Sequence, residues 1–241
     1  MQFKYSPKVI IIPVLIVLSL WLVFWYQVRI DSGIRSFGIR PNVGLGFFGI
    51  FTSPFLHSDI SHLYNNTIPI FVLSMALFFF YPRIAWKVLI YGLICSGLLT
   101  WIIAKRGNHI GASGLIYVLF GFIFFKGIFA RHYRLIALSL LVVFLYGSMV
   151  WYIFPIKLGM SWQGHLSGLM TGFVFAIFFR KQVARPEKYV WERPDYSEED
   201  DPFMRHFDED GNFIENPNEM IEEQREDPGV SVNYIYKEKK D

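Results

Sequence analysis

Carboxylates are almost missing from the first three quarters of this chain. Of its 20 aspartate and glutamate residues, only Asp31 and Asp59 precede position 187, which leaves 18 in the remainder. With no glutamate before position 187, an H-E-x-x-H zinc site is impossible there. Chemistry that needs two carboxylates on membrane helices is equally excluded. Cysteine is nearly absent as well. Cys95 stands alone, so neither an intrachain disulfide framework nor a cysteine-based zinc cluster can form. Glycine-rich phosphate loops and internal repeats are missing too. Basic residues do not alternate with aromatics as in a nucleic-acid binder, so no nucleic-acid partner is expected. No residue set points to a metal or an organic cofactor.

What the chain does have is apolar length. Of its 241 residues, 53% are hydrophobic and 19% aromatic, more than an ordinary soluble domain of this size carries. Lysine and arginine are distributed against the acids: 16 of 23 lie before position 187. The first 186 residues therefore carry 16 − 2 = +14 and the remainder 7 − 18 = −11. Lipid shaped the first part and water the second.

A helix needs about 20 mostly apolar residues to cross a bilayer. Six such runs are visible, over 9–26, 62–81, 86–104, 111–129, 135–154 and 162–179. The first follows Lys4 and Lys8, but it is too long for a signal peptide and no small-x-small cleavage site follows. It is read as a retained helix with a bend near Pro13. The fold class is thus an all-α membrane protein, a six-transmembrane-helix bundle with a long first loop (27–61) and a polar C-terminal tail. That loop is rich in glycine and phenylalanine, with Phe47, Phe48, Phe51 and Phe55, and is expected in the interface or along a site. Two domains follow: a membrane domain over 1–182 and an acidic, disordered cytoplasmic tail over 183–241. The positive-inside rule puts both termini in the cytoplasm, because the inner segments then hold eleven basic residues and the outer loops six. A bacterial plasma membrane is the expected location.

Polar residues at membrane depth are expensive and suggest function by default. Three clusters stand out. HSDISHLYNN contains His57 and His62, with Asn66 one helical turn after His62. HIGASGLIY holds Ser113 between Ala112 and Gly114, with Gly111 just before and Tyr117 one turn later. GHLSGLMTG holds His165, with Gly164, Gly168 and Gly172 at intervals of four. Gly168 and Gly172 share the face of His165, and such a stripe lets another helix backbone come close. The fourth run offers small partners in Gly111, Ala112, Gly114 and Gly121. Close packing there would bring the Ser113 hydroxyl within reach of the His165 ring, the arrangement a serine needs to become a nucleophile. His62 and Asn66, with the Ser113 backbone N–H, can supply donors to a developing oxyanion. Tyr117 can stack on His165 and hold its orientation. With no acid in the helices, the pattern points to a Ser–His dyad rather than a triad. Each residue alone also has a plainer reading as helix packing or an interhelix hydrogen bond.

Taken in order, G-A-S-G at 111–114, Tyr117, H-x-x-x-N at 62–66 and H-x-x-G-x-x-x-G at 165–172 resemble a rhomboid protease, over roughly residues 5–182. The resemblance implies hydrolysis of a peptide bond in or near a substrate's transmembrane segment, without metal or cofactor. It implies Ser113 as nucleophile, His165 as base and acid, and His62 and Asn66 as oxyanion stabilisers. Gly111, Tyr117, Gly168, Gly172 and His57 are supporting residues. The expected partners are single-span membrane-protein substrates and the lipid bilayer. Residues 155–162 would form a lid, with Met160 as a plug, and substrate would enter laterally between helices two and five. Where many members carry a Trp-Arg pair in the first loop, this chain has Phe48-Gly49. Two other readings are weighed: a catalytically inactive rhomboid-like protein that binds membrane clients, and a small channel or transporter. The stretch VSVNYIY at 230–236 is a candidate docking segment within the tail.

Overall fold

The computed structural model describes residues 6–41, 43–146, 151–156, 159–182, 189, 191, 194–197, 201–208 and 210–215. It divides the chain into two compact units, Met1–Arg185 and Pro186–Asp241. Among the described residues the first unit is helical, and only isolated bridges occur in place of strands.

Among the described residues, three helices are long and apolar enough to cross a membrane: α1 (Lys8–Arg29), α3 (Ile60–Phe80) and α4 (Ala85–Ile103). At 1.5 Å per residue they span roughly 28–33 Å, the thickness of a hydrocarbon core of about 30 Å. Their outward faces carry large exposed hydrophobics, such as Ile11, Leu15, Leu22 and Trp25 on α1. In water these would be an aggregation surface; facing acyl chains they cost nothing. The protein is accordingly an integral membrane protein.

Between α1 and α3 runs the long loop, with the short helix α2 (Gly49–Thr52) inside it. Glycines let this loop fold on itself. A Cβ at Gly49 would collide with the Gly38 carbonyl, and one at Gly97 of α4 would lie 2.8 Å from Ile50 Cγ2. The Gly38 backbone thus gives a physical reason for a glycine at position 49. Ile39 pairs through its backbone with His109, at 2.9 Å in both directions, and Asn108 Nδ2 donates to the Arg35 carbonyl at 2.7 Å. Phe47, Phe48 and Phe51 remain exposed on the loop.

α5 (Ser113–Phe129) is the central helix, packed on α3, α4, α6 (Tyr133–Tyr146) and α7 (Trp162–Phe178). It is apolar nearly all round, as a helix surrounded by others should be, and Ile116 to Ile123 are buried without a break. The fourth and fifth apolar runs do not map onto helices from end to end. The fourth run does not become helix at Gly111: that residue has φ +108°, a conformation side chains rarely adopt, so the helix starts at Ser113. The fifth run is not a single helix to its end, because Trp151–Ile153 form a separate 3-10 turn.

In the second unit, the described residues 201–208 and 210–215 include a turn organised by Asp208. Its carboxylate accepts from the backbone N–H groups of Asp210 and Asn212, at 3.0 and 2.7 Å, and Phe207 bridges to Phe213. The segment 230–236 lies outside the described residues.

Candidate active site

The site begins where α5 and α7 touch. Gly168 and Gly172 press against α5: a Cβ on the first would strike the Gly114 carbonyl and lie 2.8 Å from Tyr117 Cβ, and one on the second would sit 2.7 Å from Phe122 N. Backbone-to-backbone packing at this distance holds two helix N-terminal turns together. It brings His165 Nε2 to 2.9 Å from Ser113 Oγ. Ser161 caps α7 by accepting the Gly164 N–H at 3.2 Å.

His165 is 5% exposed and each side of its ring is occupied. Nδ1 lies 2.9 Å from the Tyr152 carbonyl. A carbonyl can only accept, so Nδ1 carries the proton and the Nε2 lone pair faces the serine hydroxyl. Tyr117 stacks on the ring, with centroids 4.5 Å apart and planes at 16°. A backbone carbonyl thus sits where a triad would place a carboxylate. Sequence reasoning could not find it, since a carbonyl has no residue type.

The other wall is the N-terminal turn of α3. Asp59 caps this helix, its carboxylate accepting the His62 N–H at 2.8 Å. His62 and Asn66 both face the backbone just ahead of Ser113. A Cβ at Gly111 would lie 2.7 Å from His62 Nε2 and 3.5 Å from Asn66 Nδ2. Gly111 is therefore required twice, by its φ and by this approach. Its own N–H donates to the Ser53 carbonyl at 2.8 Å, which anchors the turn. Asn66 is buried, and its Nδ2 has no hydrogen-bond partner. An orphaned buried donor costs about 1–3 kcal/mol, and here it lies beside Gly111, two residues ahead of Ser113.

His57 is fully buried behind His62, their rings edge to face at 5.0 Å. Burial, and next the neighbouring His62, push its pKa down to about 4, so it is neutral at physiological pH. Its backbone is gripped by Gln27 of α1, whose Nε2 donates to the His57 carbonyl at 2.6 Å and whose Oε1 accepts its N–H at 3.3 Å. Gln27 was not singled out from sequence, although a buried glutamine near the end of an apolar helix is a usable signal. His109 was likewise missed. It bonds Ser161 Oγ at 2.6 Å and the Arg106 carbonyl at 3.2 Å, tying the loop before α5 to the cap of α7. Burial lowers its pKa.

All nine site residues expected from sequence thus lie in this region: Ser113, His165, His62, Asn66, Gly111, Tyr117, Gly168, Gly172 and His57. Of the expected lid, Met160 is half-buried, while 157 and 158 lie outside the described residues.

Residues 45–182 match the Rhomboid domain family model. The chain belongs to the rhomboid family. It is also similar to uncharacterized proteins of Mycobacterium tuberculosis and Mycobacterium bovis, each 38% identical over 149 residues, covering 58% of this chain and 62% of theirs. A further uncharacterized protein, from Mycobacterium leprae, is 36% identical over 162 residues, covering 61% of this chain and 59% of that one. The chain therefore spans less than two thirds of the length of these relatives.

Proposed function

We propose that this protein is an intramembrane serine endopeptidase that cuts transmembrane segments of single-span membrane proteins, with Ser113 as nucleophile and His165 as general base. One observation carries the reading: Nε2 of a buried His165 lies 2.9 Å from Ser113 Oγ while its other nitrogen is committed to the Tyr152 carbonyl. A ring fixed in that tautomer takes the serine proton as Oγ bonds to the scissile carbonyl carbon. His62, Asn66 and the Ser113 backbone N–H receive the resulting oxyanion. Collapse breaks the C–N bond, and His165 returns the proton to the departing amine. Water then attacks the acyl-enzyme, with His165 again as base. The steps require neither metal nor cofactor.

In this reading α1, α3, α4, α5, α6 and α7 form six spans, with both termini on the side richer in lysine and arginine. The mycobacterial relatives support a bacterial plasma membrane. Substrate enters laterally between α3 and α6, the second and fifth spans, and unwinds locally before cleavage. The glycine packing of α5 on α7 and the orphaned Asn66 donor support a working catalytic centre over an inactive client-binding relative.

The test uses the full chain in lipid nanodiscs. Wild type should react with a fluorophosphonate probe and cleave members of a panel of single-span substrates. Ser113→Ala should do neither, with expression and thermal unfolding unchanged. Cleavage retained by Ser113→Ala would sink the assignment. A wild type inert to both probe and substrates would favour client binding.

A further inference from the structure

The approach to α3 contains a hydrogen-bond chain that the dyad does not use. Ser58 Oγ lies 2.6 Å from Asp59 Oδ2 and 3.2 Å from His62 Nδ1. The second oxygen of Asp59 is occupied by the cap, accepting the His62 N–H at 2.8 Å. Ser58, and next the His62 backbone, hold the Asp59 carboxyl below the usual carboxylate range, so it is ionised.

An ionised carboxylate can only accept, and a serine has one proton to give. Ser58 therefore donates to Asp59, and its oxygen accepts from His62 Nδ1–H. When His62 is neutral, its only proton is on Nδ1. Its Nε2 then turns a bare lone pair toward Gly111, two residues ahead of Ser113. A lone pair there repels a developing oxyanion; an N–H there stabilises it. Only the imidazolium has a proton on both nitrogens.

We infer that Asp59 and Ser58 are positioning residues that make His62 an oxyanion donor solely in its protonated form. The inference rests on the proposed Ser113 chemistry. It divides the oxyanion site into a pH-independent donor, Asn66 Nδ2, and an acid-gated donor, His62. The titratable groups that face His62 are Asp59 and His57 from the segment before α3, and His165 from α7. The site would work best where His62 is charged and His165 is not, and the rate should fall as alkaline conditions remove the His62 proton.

The discriminating variant is Asp59→Asn. Asparagine still caps a helix well, so α3 keeps its start. The asparagine Nδ2–H now donates to Ser58 Oγ, the Ser58 hydroxyl turns to His62 Nδ1, and neutral His62 places its proton on Nε2. The chain of bonds reverses direction. The initial rate of fluorophosphonate labelling would be followed in nanodiscs from roughly pH 4 to pH 9, a range that extends well to both sides of the ordinary histidine titration. Wild type should lose rate at the alkaline end. In Asp59→Asn the alkaline-to-acid rate ratio should rise about tenfold or more, since one oxyanion donor is worth about 100- to 1000-fold. Ser58→Ala, which frees Nδ1 without touching the cap, should flatten the profile in the same way.

A wild-type rate that does not fall toward pH 9, or variants that keep the wild-type profile, would overturn the relay while leaving Ser113 and His165 in place. If wild type fails to label at any pH, the serine-protease reading itself fails and the relay with it.

Discussion

The two walls of the site are built on opposite plans. On the α5–α7 side every polar atom of the dyad has a partner: Nδ1 of His165 has a carbonyl, Nε2 has a hydroxyl, and the ring face has Tyr117. On the α3 side a donor is left waiting, with Asn66 Nδ2 buried and unpartnered. The difference follows from when each group is needed. A base must hold one orientation before substrate arrives, so its bonds are made in advance. An oxyanion exists only during the reaction, so its donors must be aimed at a place that is otherwise empty. The cost of that orphaned donor is carried by the packing around it, including the Gln27 clamp on the neighbouring His57 backbone.

Breaking the closed wall at its base should have the largest effect. His165→Ala is expected to lower kcat by roughly 10⁴-fold or more, with fluorophosphonate labelling lost in parallel. On the open wall, Asn66→Ala should lower kcat by about 100- to 1000-fold with little change in KM. A KM effect without a kcat effect would remove Asn66 from the oxyanion site. Gly168→Ala attacks the closed wall through its scaffold. The new methyl meets the Gly114 carbonyl, and a helix displaced by about 1 Å should cost on the order of a hundredfold in rate. Overpacking should also cost about 1–3 kcal/mol of stability, readable as a lower unfolding temperature. If that variant keeps full activity, the glycine contact does not set the dyad distance.

Tyr117→Leu keeps an apolar side chain but loses the stack, worth about 0.5–1.5 kcal/mol. A twofold to tenfold fall in kcat is expected by the same figure. The smallest effect belongs to His57. Its folded pKa of about 4 lies below the ordinary histidine value of 6.5, so between these values the unfolded chain binds more protons than the folded one. Stability should therefore fall as pH drops from 6.5 toward 4. His57→Gln should flatten that slope in thermal unfolding, and an unchanged slope would show that another group is responsible.

Much of the closed wall was legible in the sequence because its signals are periodic. Gly164, Gly168 and Gly172 recur every four residues beside His165, and Ser113 lies among Gly111, Ala112 and Gly114, so helix geometry alone suggests which faces meet. The open wall was less legible. His62 and Asn66 announced themselves as polar residues on an apolar helix, but the roles of Ser58 and Asp59 depend on side-chain rotations that spacing does not encode. Tyr152 contributes a backbone carbonyl and was invisible for that reason. Gln27 and His109 lie far along the chain from the groups they hold, 30 residues from His57 and 52 from Ser161.

The sequence by itself determined the solvent of each region, the existence of apolar helices and the small-residue faces that let two of them approach. It did so because burial in lipid and helical periodicity act residue by residue along the chain. Only the tertiary structure decided the hydrogen-bond directions: which nitrogen of His165 carries its proton, which way Ser58 points, and which donors are left without partners. Those depend on atoms brought together from distant parts of the chain, and a proton's position is set by its neighbours in space.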